Sequence, residues 1–299
     1  MKLFITGASG FIGSHVAKEF LDAGHELVAL VRNPKKLPSL YNTPKVTVVE
    51  GTLADHEIIF SAMKECQGCV HIALGWGGNP TTMASNDLMH TLFLLESALK
   101  LGHKHFLTTS STAAMGELRL NMDEAFDNRP IDYYGATKAA AESFVLAAGR
   151  KGVMQCNIIR PGYAFGQEAL PGGPSQPDQR FETIVEKALA NEPIELIRND
   201  GTQFIWGGDL AKIYREILDS DWNREIFLGL GSQFISWEAI ALVAKALCNS
   251  SSEINLIDKG WSESPCHFNV SKINDLMGFD FTADEHIRNH LKYLIAKKS

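Results

Sequence analysis

Residues 6–13 read TGASGFIG, and three glycines at that spacing decide the fold. An apolar run, Leu3 to Thr6, precedes them. Ile12, Val16, Phe20 and Leu21 follow at helical spacing, and Gly24 ends the helix they predict. A turn between a first strand and a first helix aims backbone N–H groups and the positive helix end at an anion such as a pyrophosphate. Gly7 allows the tight turn, Gly10 lets the backbone approach the phosphates, and Gly13 lets the helix pack close to the strand. Ser9, Phe11 and Ile12 belong to the same turn and are candidate cofactor contacts.

The same alternation continues outward. Leu27 to Val31 is an unbroken apolar run, as in a strand covered on both faces. Val46 to Val49, Val70 to Ala73, Phe106 to Thr109 and Cys156 to Arg160 read as further strands. Helical patterns separate them, with a stripe of Leu88, Leu92, Leu95 and Leu99 that stops at Gly102, and an alanine-rich stretch from Tyr134 to Ala148. Strand and helix in strict turn predict an α/β doubly wound parallel sheet over residues 1–166, with helices on both faces. The rhythm breaks at residues 167–180, QEALPGGPSQPDQR, a Pro/Gly-rich loop. Beyond it, short strands and helices predict a smaller mixed α/β substrate lobe over 167–299. A segment near 202–230 returns to the first domain, and a cleft lies between the two.

Composition excludes several classes. Of 299 residues 45% are hydrophobic, enough for a substantial core, and the net charge is −7. No basic stretch is long enough to neutralise nucleic-acid phosphates, and no apolar segment is long enough for a bilayer. The N-terminus lacks the features of a signal peptide, so a cytoplasmic location with no membrane partner is expected. Among Cys66, Cys69, Cys156, Cys248 and Cys266, only the first two are close, and no second pair is spaced for zinc. They read as ordinary thiols around a turn, with no metal.

At the end of the second strand, NAD-binding folds place an acid against the ribose hydroxyls, whereas an arginine accommodates a 2′-phosphate. This chain reads Val31-Arg32-Asn33, with Lys35 and Lys36 behind and Ser9 able to add a hydroxyl. On charge alone, NADP is expected over NAD.

The chemistry centres on residues 132–142, DYYGATKAAAE. Tyr134 and Lys138 are four apart on a helix and share a face. A neighbouring ammonium favours the phenolate and lets the tyrosine exchange a proton near neutrality. Ser110, Ser111 and Thr112 end a strand at the carboxyl side of the sheet, where open α/β folds bind ligands. One of these hydroxyls can hold a substrate oxygen.

Glycine turn, hydroxyl run and Tyr-x-x-x-Lys in this order resemble the extended short-chain dehydrogenase/reductase superfamily, within it the NAD-dependent epimerase/dehydratase family. Further motifs carry the likeness: VHIAL at residues 70–74, Asn86 at the family's helix asparagine, IIRPGYAFG at 158–166, TQFIWGGDLA at 202–211 and FNVSKINDLMGF at 268–279. The resemblance implies a Rossmann domain and an enzyme with Ser111, Tyr134 and Lys138 as catalytic residues. It implies cofactor contacts from Leu53, Ala73, Pro161, Tyr163 and Ala164. It also implies a homodimer through the Tyr134-bearing helix, where Ala139, Ala140 and Ala141 permit close approach.

The departures matter as much. Family members that act on nucleotide sugars usually carry arginines that hold the diphosphate, where this chain has Thr202 and WSESPCHF (261–268). Sugar dehydratases place an Asp-Glu pair where this chain has Thr112 and Ala113. These differences predict a small, partly apolar carbonyl or alcohol substrate, lined by Trp76 and its flanking glycines, Thr112, Met115, Tyr163, Phe165 and Trp206. The leading expectation is an NADP-dependent oxidoreductase. The alternatives are an epimerase of a sugar or sugar nucleotide and a non-catalytic dinucleotide sensor. His286 and His290 are read as a solvated helix face, and Asp123, Glu124 and Asp127 as surface loop charges.

Overall fold

Seven parallel strands form the central sheet in the order β7-β6-β5-β4-β1-β2-β3. They are β1 (Lys2–Thr6), β2 (Glu26–Val31), β3 (Val46–Glu50), β4 (Gly68–His71), β5 (His105–Thr109), β6 (Gln155–Pro161) and β7 (Ile226–Gly229). The computed structural model describes every residue except Leu37, Leu118, residues 263–266 and Ser299. The expectations placed on Cys266 and on the middle of WSESPCHF therefore lie outside the described residues.

The strand register explains the apolar runs. In β2 every residue from Leu27 to Val31 is buried, because helices cover both faces. On one face, α1 (Phe11–Asp22) brings Val16, Ala17 and Phe20 against Ile213, Tyr214 and Ile217 of α6 (Gly207–Asp219). On the other lie Ile59 and Met63 of α2 (His56–Met63), Leu94 and Ala98 of α3 (Met89–Leu101), and Val145 of α4 (Tyr133–Ala148). The chain re-enters this sheet late, since α6 leads to β7, which pairs with β6 at the edge.

A third core builds the lobe. Phe181 and Val185 of α5 (Arg180–Ala190), Trp237 and Ala241 of α7 (Trp237–Cys248), and Ile287 and Leu291 of α8 (Asp284–Lys298) pack around Phe165 and Phe204. His290 lies in this core, edge-on to Phe165 and Phe181, and burial pushes its imidazole down to about 4. The solvated-face reading of α8 is thus corrected. His286 is also engaged: it stacks on Trp206 at 4.4 Å and pairs with Asp209 at 3.2 Å. Glu124 is not merely a surface charge either. Its carboxylate accepts from the Leu228 N–H at 3.1 Å, and burial raises its pKa.

Among the described residues no helix is long and apolar enough to cross a membrane, and no three potential metal ligands cluster. Cys66, Cys69 and Cys156 are buried free thiols, and burial pushes Cys66 up to about 11. A buried thiol at that value is a poor nucleophile.

Candidate active site

Two glycines shape the phosphate turn. Gly7 has φ +77°, which a side chain rarely adopts, and a Cβ there would lie 2.7 Å from the Ala73 nitrogen. A Cβ on Gly13 would lie 1.9 Å from the Gly7 carbonyl oxygen. The first turn of α1 has no side-chain cap and no acid, so its N–H groups face outward without a protein anion. The cradle is tied to β4 by Thr6. The Thr91 hydroxyl donates to the Asp87 carbonyl at 2.9 Å and so accepts from His71 Nε2–H at 2.9 Å. That leaves His71 Nδ1 to accept from the Thr6 hydroxyl at 2.7 Å. Burial, then the nearby Lys138 charge, drives His71 down to about 3, so this link is neutral.

A cleft of about 1080 Å³ runs from this turn across the carboxyl edge of the sheet. Its wall includes Gly7, Ser9, Gly10, Phe11, Ile12 and Gly13 at one end, Arg32, Leu53 and Ala73 along its length, and Trp76, Tyr163 and Ala164 at the other. The uncapped helix end, the side-chain-free cradle and a cleft of this size fit a dinucleotide. Pro161, at the end of β6, is buried and does not line the cleft. Trp206 does not line it either. Its indole is held between His286, His15 and the Lys212 ammonium. Phe165 is wholly buried in the lobe core, and Met115 is buried in the sheet core.

Ser111, Thr112, Tyr134 and Lys138 do not line the cleft itself; they lie beyond Trp76, whose ring is 6.0 Å from that of Tyr134. Asp132 caps α4 by accepting from the Gly135 N–H at 2.6 Å and so fixes where Tyr134 enters the helix. The Tyr134 phenol faces Ser111, whose hydroxyl partly offsets the effect of burial on it. Ser111 in turn accepts from the Ala113 N–H at 3.1 Å at the start of a short helical turn, on which Thr112 is half-buried. Ser110 is engaged elsewhere, donating to Glu142 at 2.5 Å. The Lys138 ammonium lies 5.8 Å from the centre of the Tyr134 ring.

The sequence reading missed Asp87. It sits in a π-helical turn, Ala84–Leu88, that leads into α3, and it is 1% exposed. Its carboxylate lies 3.2 Å from the Lys138 ammonium and accepts from Thr137 at 3.1 Å and the Gly75 N–H at 3.3 Å. Asn86, the residue singled out from the sequence, instead donates to the Trp76 carbonyl at 2.8 Å and braces that loop. With Asp87 beside the ammonium, Tyr134 is not lowered as its spacing from Lys138 suggested. Burial raises its pKa, Ser111 partly opposes this, and Asp87 and Asp132 add to the rise.

On the lobe side, Gln176 donates to the Tyr163 hydroxyl at 2.9 Å, and Arg180 holds Asp178 through contacts of 2.9 and 3.0 Å. Arg180 also lies over the Trp237 ring at 4.4 Å. The Arg180 guanidinium, which lies over the Tyr163 ring, thus already has its counter-ion. Thr202 is half-buried in a two-residue ladder with Ile235 and Ser236.

Similar proteins share this frame. The putative UDP-glucose 4-epimerase of Methanocaldococcus jannaschii is 25% identical over 243 residues, 77% of each chain. The 3-beta-hydroxysteroid dehydrogenase of Mycolicibacterium neoaurum is 30% identical over 180 residues, 56% of this chain and 48% of the relative. The UDP-glucuronic acid 4-epimerase of Bacillus cereus, solved in complex with NAD, superposes with a TM-score of 0.82 at 19% identity over the whole of both chains. Other solved structures of this fold are likewise complexes with NAD. The expectation of NADP is corrected accordingly. Arg32 is exposed at the cleft rim with no ion-pair partner among the described residues. A guanidinium so placed can lie against an adenine face as readily as meet a 2′-phosphate, so its charge did not decide the cofactor. Residues 3–228 match the profile of the NAD dependent epimerase/dehydratase family, and the chain is an enzyme of that family.

Proposed function

We propose that the protein is an NAD-dependent epimerase of a sugar or sugar nucleotide. A secondary alcohol is oxidised to a ketone, the ketone turns, and reduction from its other face leaves the dinucleotide as it began. The observation that carries this reading is the meeting of Ser111, Tyr134 and Lys138 beside the Trp76 end of the cleft. Family membership and the sugar-nucleotide epimerases among its relatives support it.

Bound NAD supplies the acceptor and donor of hydride. The residues do the rest. Tyr134 takes the hydroxyl proton as the alcohol is oxidised and returns it on reduction. Ser111 holds the substrate oxygen through both half-reactions. Lys138 has ammonium donors beyond those directed at Asp87 and offers them to the dinucleotide's ribose. Ser9, Gly10 and the free N–H groups of α1 hold the phosphates, and Leu53 and Ala73 flank the adenosine. Water elimination is not proposed, because Thr112 and Ala113 give no carboxylate pair.

A second reading is a one-way oxidoreduction of a less anionic alcohol. The absence of an arginine at Thr202 and the counter-ion already held by Arg180 favour it. One experiment separates the two. UDP-glucose, UDP-glucuronic acid, D-glucose and D-galactose are incubated with enzyme and NAD, and both epimer formation and absorbance at 340 nm are followed. Epimer without net NADH supports the first reading. Stoichiometric NADH without epimer supports the second. Tyr134→Phe should remove either activity.

A further inference from the structure

The Asp87–Lys138 pair does more than hold a helix in place. The ammonium lies 3.2 and 3.3 Å from the two carboxylate oxygens, outside the 2.7–2.9 Å of a tight charge-assisted bond, and both side chains are buried. Thr137 and Gly75 fix the carboxylate from two other directions. It cannot swing away from Lys138 without losing the Gly75 contact and its share of the Thr137 hydroxyl, which also reaches the Tyr134 carbonyl at 2.9 Å.

We propose that Asp87 is a positioning residue that cancels the Lys138 charge and so keeps Tyr134 a protonated phenol in the resting enzyme. The site is then set as a proton donor, and the half-reaction it favours at neutrality is reduction of a substrate ketone. The reduced dinucleotide, when bound, would supply the hydride for the new C–H bond of that half-reaction. The Tyr134 proton forms the new O–H bond as the C=O π bond breaks, and the phenolate left behind either takes the hydroxyl proton of the opposite half-reaction or recovers one from solvent.

The surroundings agree. Tyr134 is faced by Ser111 from the short turn after β5, Asp132 from the helix cap, Asp87 from the π turn, Tyr214 from α6 and Lys138 from its own helix. Lys138 itself is faced by Asp87 and by His71 of β4, and His90 lies near Asp87. His71 is neutral. Two carboxylates therefore stand against one ammonium, and neither opposes the phenol's proton.

The inference rests on Tyr134 as the proton-transferring group, and the two fail separately. Protein labelled with ¹³Cζ-tyrosine is titrated by NMR without dinucleotide, and Tyr134→Phe assigns the signal. Wild type should titrate at or above the ordinary tyrosine value of about 10. Asp87→Asn, which keeps an acceptor for one of Thr137 and Gly75, should lower that midpoint by about a unit, a tenfold gain in phenolate. The alkaline limb of alcohol oxidation should move down with it, and Asp87→Glu should restore it. A wild-type midpoint below about 8, or one that Asp87→Asn leaves unmoved, overturns the proposal. If Asp87→Asn does not fold, Asp87→Ser and the wild-type midpoint decide. Full turnover in Tyr134→Phe defeats the reading of Tyr134, whatever the titration gives.

Discussion

Helix α4 carries two buried ion pairs one turn apart, and they differ in how completely they are closed. Glu142 pairs with Arg160, both side chains 2% exposed, through two contacts of 2.8 Å. Ser110 at 2.5 Å and Asn128 at 2.6 Å occupy what remains of the carboxylate. Asn128 also accepts from Arg160 at 2.8 Å. Lys138 forms its ion pair with Asp87 at longer range, beside the Tyr134 ring. The Glu142 carboxylate can accept nothing more, and Arg160 Nη1, which has no partner, is sealed in the core; an ammonium with donors to spare beside Tyr134 can bind and release a ligand. Four residues of one helix therefore separate a joint from a working site, and arginine and lysine are placed where their geometries suit those tasks.

The sharpest contrast pairs a variant at each site. Tyr134→Phe should cut turnover by about 10³-fold and leave the unfolding free energy unchanged, read by steady-state kinetics and a urea curve. Glu142→Ala should do the reverse. It strands a buried guanidinium and should cost about 3 kcal/mol or more in the same urea curve. Unchanged stability in the second variant would mean that water or a side-chain shift replaces the carboxylate, and the contrast between joint and working site would lapse.

Lys138→Arg tests whether closure itself is what distinguishes them. A guanidinium can engage both Asp87 oxygens at once and would make the second pair resemble the first. Stability should hold, while turnover falls on the order of 10²-fold, the cost of displacing a catalytic contact by about an ångström. Full activity with arginine would show that the loose geometry is incidental.

Much of this was legible in the sequence for physical reasons. Unbroken apolar runs mark strands that packing covers, and the glycines of residues 6–13 mark the tight turn into the first helix. The Tyr134–Lys138 pair is visible because helical spacing alone brings it together. Asp87 was hidden because the π turn adds a residue to the helical register and rotates 87 inward, where a regular helix points elsewhere. Trp206, His286 and His290 were misplaced because their partners come from three separated segments, and nothing local in α8 signals that Phe165 and Phe181 await His290. Arg32 shows the limit of reading charge without shape: its sign was clear, but its exposure was not.

The smallest effect concerns His71, which sits on the working side of the comparison. Its folded-state value of about 3 lies well below the 6.5 it takes when unfolded. The unfolded chain therefore binds a proton that the folded chain refuses as pH falls below 6.5. Stability is full above that value and declines by up to about 1.4 kcal/mol per pH unit until both states are protonated near pH 3. His15, His103 and His290 are lowered in the same sense, so the total slope belongs to several residues. The difference between wild type and His71→Asn isolates one of them. Asparagine keeps a donor for Thr91 and an acceptor for Thr6, and urea curves at pH 7 and pH 4.5 should show the variant losing less on acidification. An equal loss would mean that His71 carries a proton inside the fold. Lys138 would then face a second buried cation with only Asp87 to offset both, and the loose pair could not serve as the site's resting balance.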